Sequence, residues 1–299
     1  MGAALLLLVC LVGGVAIQRA RTNERLRDIT WLAYFWTIAP VLVYVVFRNV
    51  HVNRNLLLAL AAAIVATWVV AAIGYAYATA VAATREERGT LALGAACPNT
   101  GFLGFPLAQL AYGSHGLALA VVYDQLSWLV PATSVTTTIA RTHGRRSGGE
   151  AERPLRALLV NPPLIAMVLA LALRAAGWDL PLADHLGTAA SKVVGPVGFL
   201  LLGLSLPLEA PVHGGPELRR AAGSLLIRFA GGPLVLFAVG KAFGAQIPGT
   251  FFLLSAMPCA FHLLILARVY DMRPALMRLL VVGSTVPAVA VVVLVAGLH

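Results

Sequence analysis

Apolar residues in this chain fall in long runs rather than at alternating or strictly amphipathic spacings, and short gaps of charged residues, glycine or proline separate the runs. Each run approaches the roughly 20 residues an α-helix needs to cross a bilayer core about 30 Å thick. The pattern predicts ten membrane spans, at about 3–18, 30–48, 56–82, 89–111, 115–139, 156–176, 185–207, 219–241, 248–268 and 275–297. The composition agrees. Of 299 residues, 60% are hydrophobic and only 11% charged, and the mean hydropathy is +0.86, outside the range of a soluble domain. The expected fold class is therefore an all-α polytopic membrane protein, multi-pass in the plasma (inner) membrane and in contact with lipid throughout.

The net charge is +10. Nucleic acid is not the implied partner, because the basic residues sit in the gaps between runs and not in a patch with interleaved aromatics. They report topology instead. The odd-numbered loops hold Arg19, Arg21, Arg25, Arg27, Arg85, Arg88, Arg141, Arg145, Arg146, Arg153, Arg156, Arg219, Arg220, Arg268, Arg273 and Arg278, whereas the even loops hold only Arg48, Arg54, Arg174 and Lys241. A split of sixteen to four fits the positive-inside rule with both termini periplasmic or extracellular. The opening "MGAALLLLVCLVGGVAIQ" has an apolar run of signal-peptide length, but its arginines follow the run, which favours a retained first span. That span is short, which leaves room for a start codon upstream.

The longest polar stretch, "ARTHGRRSGGEAERP", separates spans five and six and is expected to be a flexible cytoplasmic linker. It divides the chain into a first five-helix repeat (1–139), the linker (140–155) and a second repeat (156–299). Five spans per half gives the halves opposite orientations, the arrangement of an inverted repeat. The fourth span contains "CPNTGFLGFP", and its counterpart, the ninth, contains "AMPCAFH". Proline removes an N–H and clashes with the carbonyl a turn earlier. In a membrane the freed peptide groups persist only where protein or a water-filled cavity satisfies them. Two such breaks at corresponding positions of inverted halves point to a transport site, and a half-helix starting there presents N–H groups suited to a carboxylate. Pro40 and Pro131 are read as tolerated kinks.

The stretch "CPNTGFLGFPLAQLAYG" closely resembles the fourth helix of the auxin efflux carrier family, with its Pro-Asn-Thr, Gly-x-Pro and Tyr-Gly pattern, and "VNPPLIAMVLALAL", "GPVGFLLLGLSL" and "AMPCAFHLLILARVYDM" resemble its sixth, seventh and ninth. The resemblance implies ten helices in two inverted repeats with broken, crossing helices four and nine. It further implies a scaffold of spans 1, 2, 6 and 7, a mobile transport domain of spans 3–5 and 8–10, and elevator-type alternating access. Asn99 matches the substrate-facing Asn after the crossover proline, and Asn161 the Asn that opens the sixth helix. His262 stands where bacterial members usually carry an Asn, and an imidazole can change its charge near neutral pH; a histidine satisfied by freed carbonyls is the plainer alternative.

Asp124 lies about 13 Å along the fifth span from its start, deep enough for an acidic side chain to be a functional candidate, unless it sits at the outer interface. Its neighbour Gln125 is expected on a different face. Arg228 in the eighth span could neutralise an anion, and Lys192 is read as snorkelling to an interface. Cys10, Cys97 and Cys259 have no metal or disulfide spacing and read as small packing residues. The substrate-binding candidates are thus Pro98, Asn99, Thr100, Gly101, Asp124, Asn161, Pro258, Cys259, His262 and Arg228, with Asp124 and His262 as coupling residues. The expected function is secondary transport of a small organic anion, a monocarboxylate, dicarboxylate or auxin-like acid, with no cofactor, no metal and no enzymatic activity. A homodimer through the scaffold helices is the assembly this allows. A sodium-coupled symporter of bile-acid type is the alternative, although Asn99, Thr100 and Asp124 are few oxygen ligands. An intramembrane enzyme is a remote one, since no paired aspartates, His-Glu-x-x-His or Gly-x-Ser-x-Gly occur.

Overall fold

The computed structural model describes residues 2–20, 24–146, 159–178, 180–206 and 214–297, without the side chains of 128, 130–133 and 292–297. Among these residues the chain is all-helical. In order the helices are α1 (Gly2–Ala20), α2 (Glu24–Ala33), α3 (Ala39–Asn49), α4 (Arg54–Val81), α5 (Arg85–Ala96), α6 (Phe105–Tyr123), α7 (Val130–His143), α8 (Pro162–Ala175), α9 (Ala183–Ser205), α10 (Gly215–Leu226), α11 (Gly232–Ala242), α12 (Gly249–Ser255), α13 (His262–Val269) and α14 (Pro274–Gly297). Four π-helical segments, Tyr34–Ile38, Thr100–Gly104, Asp124–Leu129 and Ile227–Gly231, fuse onto the helices that follow them. In each case a proline stands in the first turn of the next α-helix. Without its N–H, the carbonyl four residues earlier loses its partner and the turn widens.

Among the described residues seven helical stretches, some joining two helices through a π segment, are long and apolar enough to cross a membrane. Outside those stretches the described residues form shorter helices, among them α5, the 14-residue α8, α12 and α13. The boundary between predicted spans four and five is Gly113, which breaks the run of α6 at φ 65° and ψ −157°, a left-handed conformation that glycine tolerates best. The first residues of the expected linker, 140–143, are helical. Helix α7 continues to His143, and the next residues are pinned, with the Arg145 N–H donating to Asp271 O at 3.4 Å and the Arg146 N–H to Tyr270 O at 3.3 Å. Residues 147–155 of the expected linker lie outside the described residues.

Two helix pairs pack along much of their length, α1 with α9 and α3 with α8, and α4 packs on α5 and α11. The α1–α9 crossing is close enough that a Cβ on Gly203 would sit 2.2 Å from Leu11 O, and one on Gly14 would sit 2.5 Å from Leu200 O. Polar ties collect the loops into two groups. The odd loops meet through Glu86–Arg145 at 3.0 Å, the buried Glu87 with Arg220 at 2.6 Å, and Glu217 with Arg273. The even loops meet through reciprocal bonds between Asn55 and Gln246, and through the Arg174 guanidinium, which donates to Val50 O at 2.8 Å. The Glu86 backbone N–H at the helix start, and after it the Arg145 guanidinium, hold the Glu86 carboxyl down at about 2, so this exposed pair stays ionised at neutral pH.

Candidate functional site

The two interrupted helices touch at their breaks. Helix α5 stops at Ala96 and the chain resumes helical geometry at Thr100; α12 stops at Ser255 and α13 starts at His262. Between them Pro98 and Cys259 form an antiparallel bridge. The Asn99 N–H donates to Pro258 O at 2.7 Å, and the Ala260 N–H donates to Cys97 O at 2.9 Å. A helix end leaves its last four carbonyls without intrahelical donors, and buried ones must find others. At α5 all four do: Gly94 O accepts from the Cys259 thiol at 3.1 Å, Ala95 O and Ala96 O from the Arg228 guanidinium, and Cys97 O from Ala260. The Cys259 N–H donates to Ser284 Oγ at 3.0 Å.

Beside the bridge lies a cavity of about 360 Å³, within the size range of small-molecule sites. Of the ten predicted residues, Pro98, Asn99, Thr100, Gly101, Asp124, Asn161 and His262 line it together; Pro258, Cys259 and Arg228 do not. Pro258 contributes the carbonyl that holds Asn99, and Cys259 the thiol that covers Gly94 O. Arg228 points into a separate small void shared with Thr67, Tyr123 and Ser255.

Within the cavity the Asp124 carboxylate accepts from the Thr100 hydroxyl and from the Gln125 amide, the latter at 2.8 Å. The expectation that Gln125 points elsewhere is corrected. Asp124–Leu129 is π-helical, and its wider turn brings the two neighbours onto one wall. Two buried polar atoms of the lining, Asn99 Nδ2 and Gln125 Oε1, one donor and one acceptor, have no partner among the described residues. Asn161 caps α8, its Oδ1 accepting from the Leu164 N–H at 3.1 Å. Six further lining residues are aromatic, Trp31, Tyr34, Phe35, Phe102, Phe105 and Phe261, and most of the others are small or aliphatic. Tyr34 donates to Gly101 O at 3.2 Å and stacks obliquely on Phe102. These aromatics went unnoticed in the sequence because apolar runs contain aromatics everywhere; only Phe102 and Phe105, inside the Gly/Pro-rich break, carried a local signal. Among the described residues no lysine or arginine lines the cavity; the N-terminal ends of the two half-helices supply positive potential there.

A family model described as membrane transport protein matches residues 37–295, both breaks and the whole cavity wall after Phe35 included. This chain belongs to the membrane transport protein family. It is the auxin efflux carrier-type family that the crossover motifs resemble. Among curated members, an uncharacterized transporter of Methanothermobacter thermautotrophicus is 28% identical over 200 residues, which is 66% of this chain and 63% of that protein. An uncharacterized transporter of Methanocaldococcus jannaschii is 28% identical over 194 residues, 62% of this chain and 60% of that one. The chain therefore spans less than two thirds of the length of these curated relatives. Its family is one of multi-pass membrane transport proteins, a class whose members are generally not enzymes.

Proposed function

We propose that this membrane transport protein is a secondary transporter that carries a small organic anion, a carboxylate with an apolar or aromatic body, in the cavity beside the crossover. The observation that carries the reading is the buried Asn99 amide, which lines that cavity with Nδ2 unpaired among the described residues, one residue after Pro98. A carboxylate would take this donor together with the N-terminal ends of the half-helices, and the aromatic wall would cover its body. The Asp124 carboxylate in the same cavity opposes a bare anion, so a proton carried on Asp124 or His262 accompanies the substrate.

The packing supports an elevator. Helices α1, α3, α8 and α9 pair among themselves as a scaffold, while α4, α5 and α11 pack with the crossover. Ten spans in two inverted repeats, with helices four and nine crossing, accommodate both the seven long helices and the shorter pieces. The segregated loops support outward-facing termini in the inner membrane.

Uptake of labelled indole-3-acetate, benzoate and succinate into proteoliposomes, under a proton gradient, a sodium gradient or neither, tests this. Saturable uptake of one acid that responds to pH and not to sodium is expected, with the pH response lost in Asp124→Asn. That acid should also stabilise the purified protein, by about 2.7 kcal/mol at a hundred times its dissociation constant. Neither uptake nor stabilisation by any of the three would sink the anion reading; sodium-driven, pH-independent uptake would sink the proton step.

A further inference from the structure

Arg228 is buried, 3% exposed, in the middle of a membrane helix. A charge there is costly and calls for a compensating structure. Among the described residues no carboxylate lines the small void around it, whose polar side chains are Thr67, Tyr123 and Ser255. The guanidinium's hydrogen bonds go to backbone oxygen. Nη1 donates to Ala95 O at 3.2 Å and to Ala96 O at 2.7 Å, and Nη2 donates to Ser255 O. Those carbonyls belong to the C-terminal ends of α5 and α12, the two half-helices that stop at the crossover. Both therefore direct the negative ends of their dipoles at one point.

Converging half-helix ends with unwound carbonyls are what an exchangeable alkali cation coordinates in membrane transporters. We propose that Arg228 is a resident cation at this point: its guanidinium takes the place of an exchangeable ion and ties the two broken helices together. Three details fit. The π-helical turn Ile227–Gly231 sets Arg228 toward the crossover. Gly232 leaves the approach open, since a Cβ there would lie 2.2 Å from Ser255 O and 2.7 Å from Arg228 Nη2. The remaining void is about 10 Å³, room for about one water beside the unpartnered Nε, and too little for a hydrated ion. The inference concerns the crossover itself and does not depend on which substrate the cavity carries.

The test is thermal melting of the purified protein with sodium chloride exchanged for choline chloride at constant ionic strength, a readout that needs no substrate. The wild type should melt at the same temperature in both salts. Arg228→Gln should melt several degrees lower in choline, with part of the loss recovered in sodium, because vacated carbonyls then accept a free cation. Arg228→Lys retains the charge but has fewer donors; it should melt between the two and ignore sodium. Stabilisation of the wild type by sodium would overturn the proposal. So would a Gln variant that melts with the wild type, or one equally depressed in both salts, which would leave Arg228 a hydrogen-bonding strut without a cation's role. If the Gln variant does not accumulate, Arg228→Lys and Gly232→Ala decide: both should melt low, and wild-type melting of either sinks the idea.

Discussion

Asn99 divides its groups between architecture and chemistry. Its N–H is committed to Pro258 O across the bridge, and its carbonyl accepts from the Gly104 N–H at 3.1 Å. Only the side-chain amide remains for a ligand. Truncation at Cβ therefore leaves both backbone bonds in place, and Asn99→Ala should weaken binding far more than folding. A hydrogen bond to a charged group contributes about 1.5–3 kcal/mol, so the dissociation constant of the transported acid should rise roughly tenfold to hundredfold. Melting without ligand should be unchanged. Titration calorimetry beside a melting curve checks both; a variant that binds normally would restrict Asn99 to breaking the helix. Asp124 shows why the sequence understated this wall. Its depth in a span was legible, but its partners Thr100 and Gln125 lie 24 residues and one residue away, and only a π-helical turn lets the second of them face the same space.

Prolines act on the helices in two ways here. Pro40, Pro106, Pro131 and Pro233 each follow a π-helical segment in a helix that continues, whereas Pro98 and Pro258 stand where helices stop. The difference lies in what receives the freed carbonyls. A single missing N–H can be absorbed by widening one turn, but at Pro98 the following Asn99 is drawn into a bridge with the other broken helix, and the turn cannot re-form. Close helix approach is the other element-scale device. At the α1–α9 crossing the backbone of each helix meets a glycine of the other. In Gly203→Val the new Cβ would meet Leu11 O well inside contact distance, so α1 must move outward. Overpacking of this kind costs typically about 1–3 kcal/mol. A clearly lower melting temperature of Gly203→Val is expected; wild-type melting would mean that α1 is not seated as described.

Across the whole molecule, charge and connectivity agree on two faces. The ties among Glu86, Glu87, Arg145, Arg220, Glu217 and Arg273 gather odd loops, and the Asn55–Gln246 and Arg174–Val50 bonds gather even ones. With arginine concentrated on the odd side, that face should be cytoplasmic. In a Cys10→Ser background, Gln246→Cys should react with a membrane-impermeant maleimide on intact cells, and Arg146→Cys only after permeabilisation. Both positions are exposed, so the reverse pattern would invert the topology.

Much of this arrangement was written into local sequence. Run lengths near a bilayer's thickness and gaps rich in arginine determined the number of predicted spans and the two groups of loops, because hydrophobic length and loop charge act segment by segment. Pro98 and Pro258 marked the breaks for the same reason: a missing N–H is a property of one residue. Seven of the ten predicted site residues line one cavity because they cluster at those breaks or face them. What the sequence could not determine was which donor each orphaned carbonyl finds. Cys259 reaches Gly94 O across 165 residues and Arg228 reaches Ala95 O across 133, pairings that no local pattern encodes. Tertiary packing alone moved Arg228 from a candidate anion ligand to the back of the crossover, because two helix ends with negative dipoles converge there and the cavity lies on the other side of Pro98.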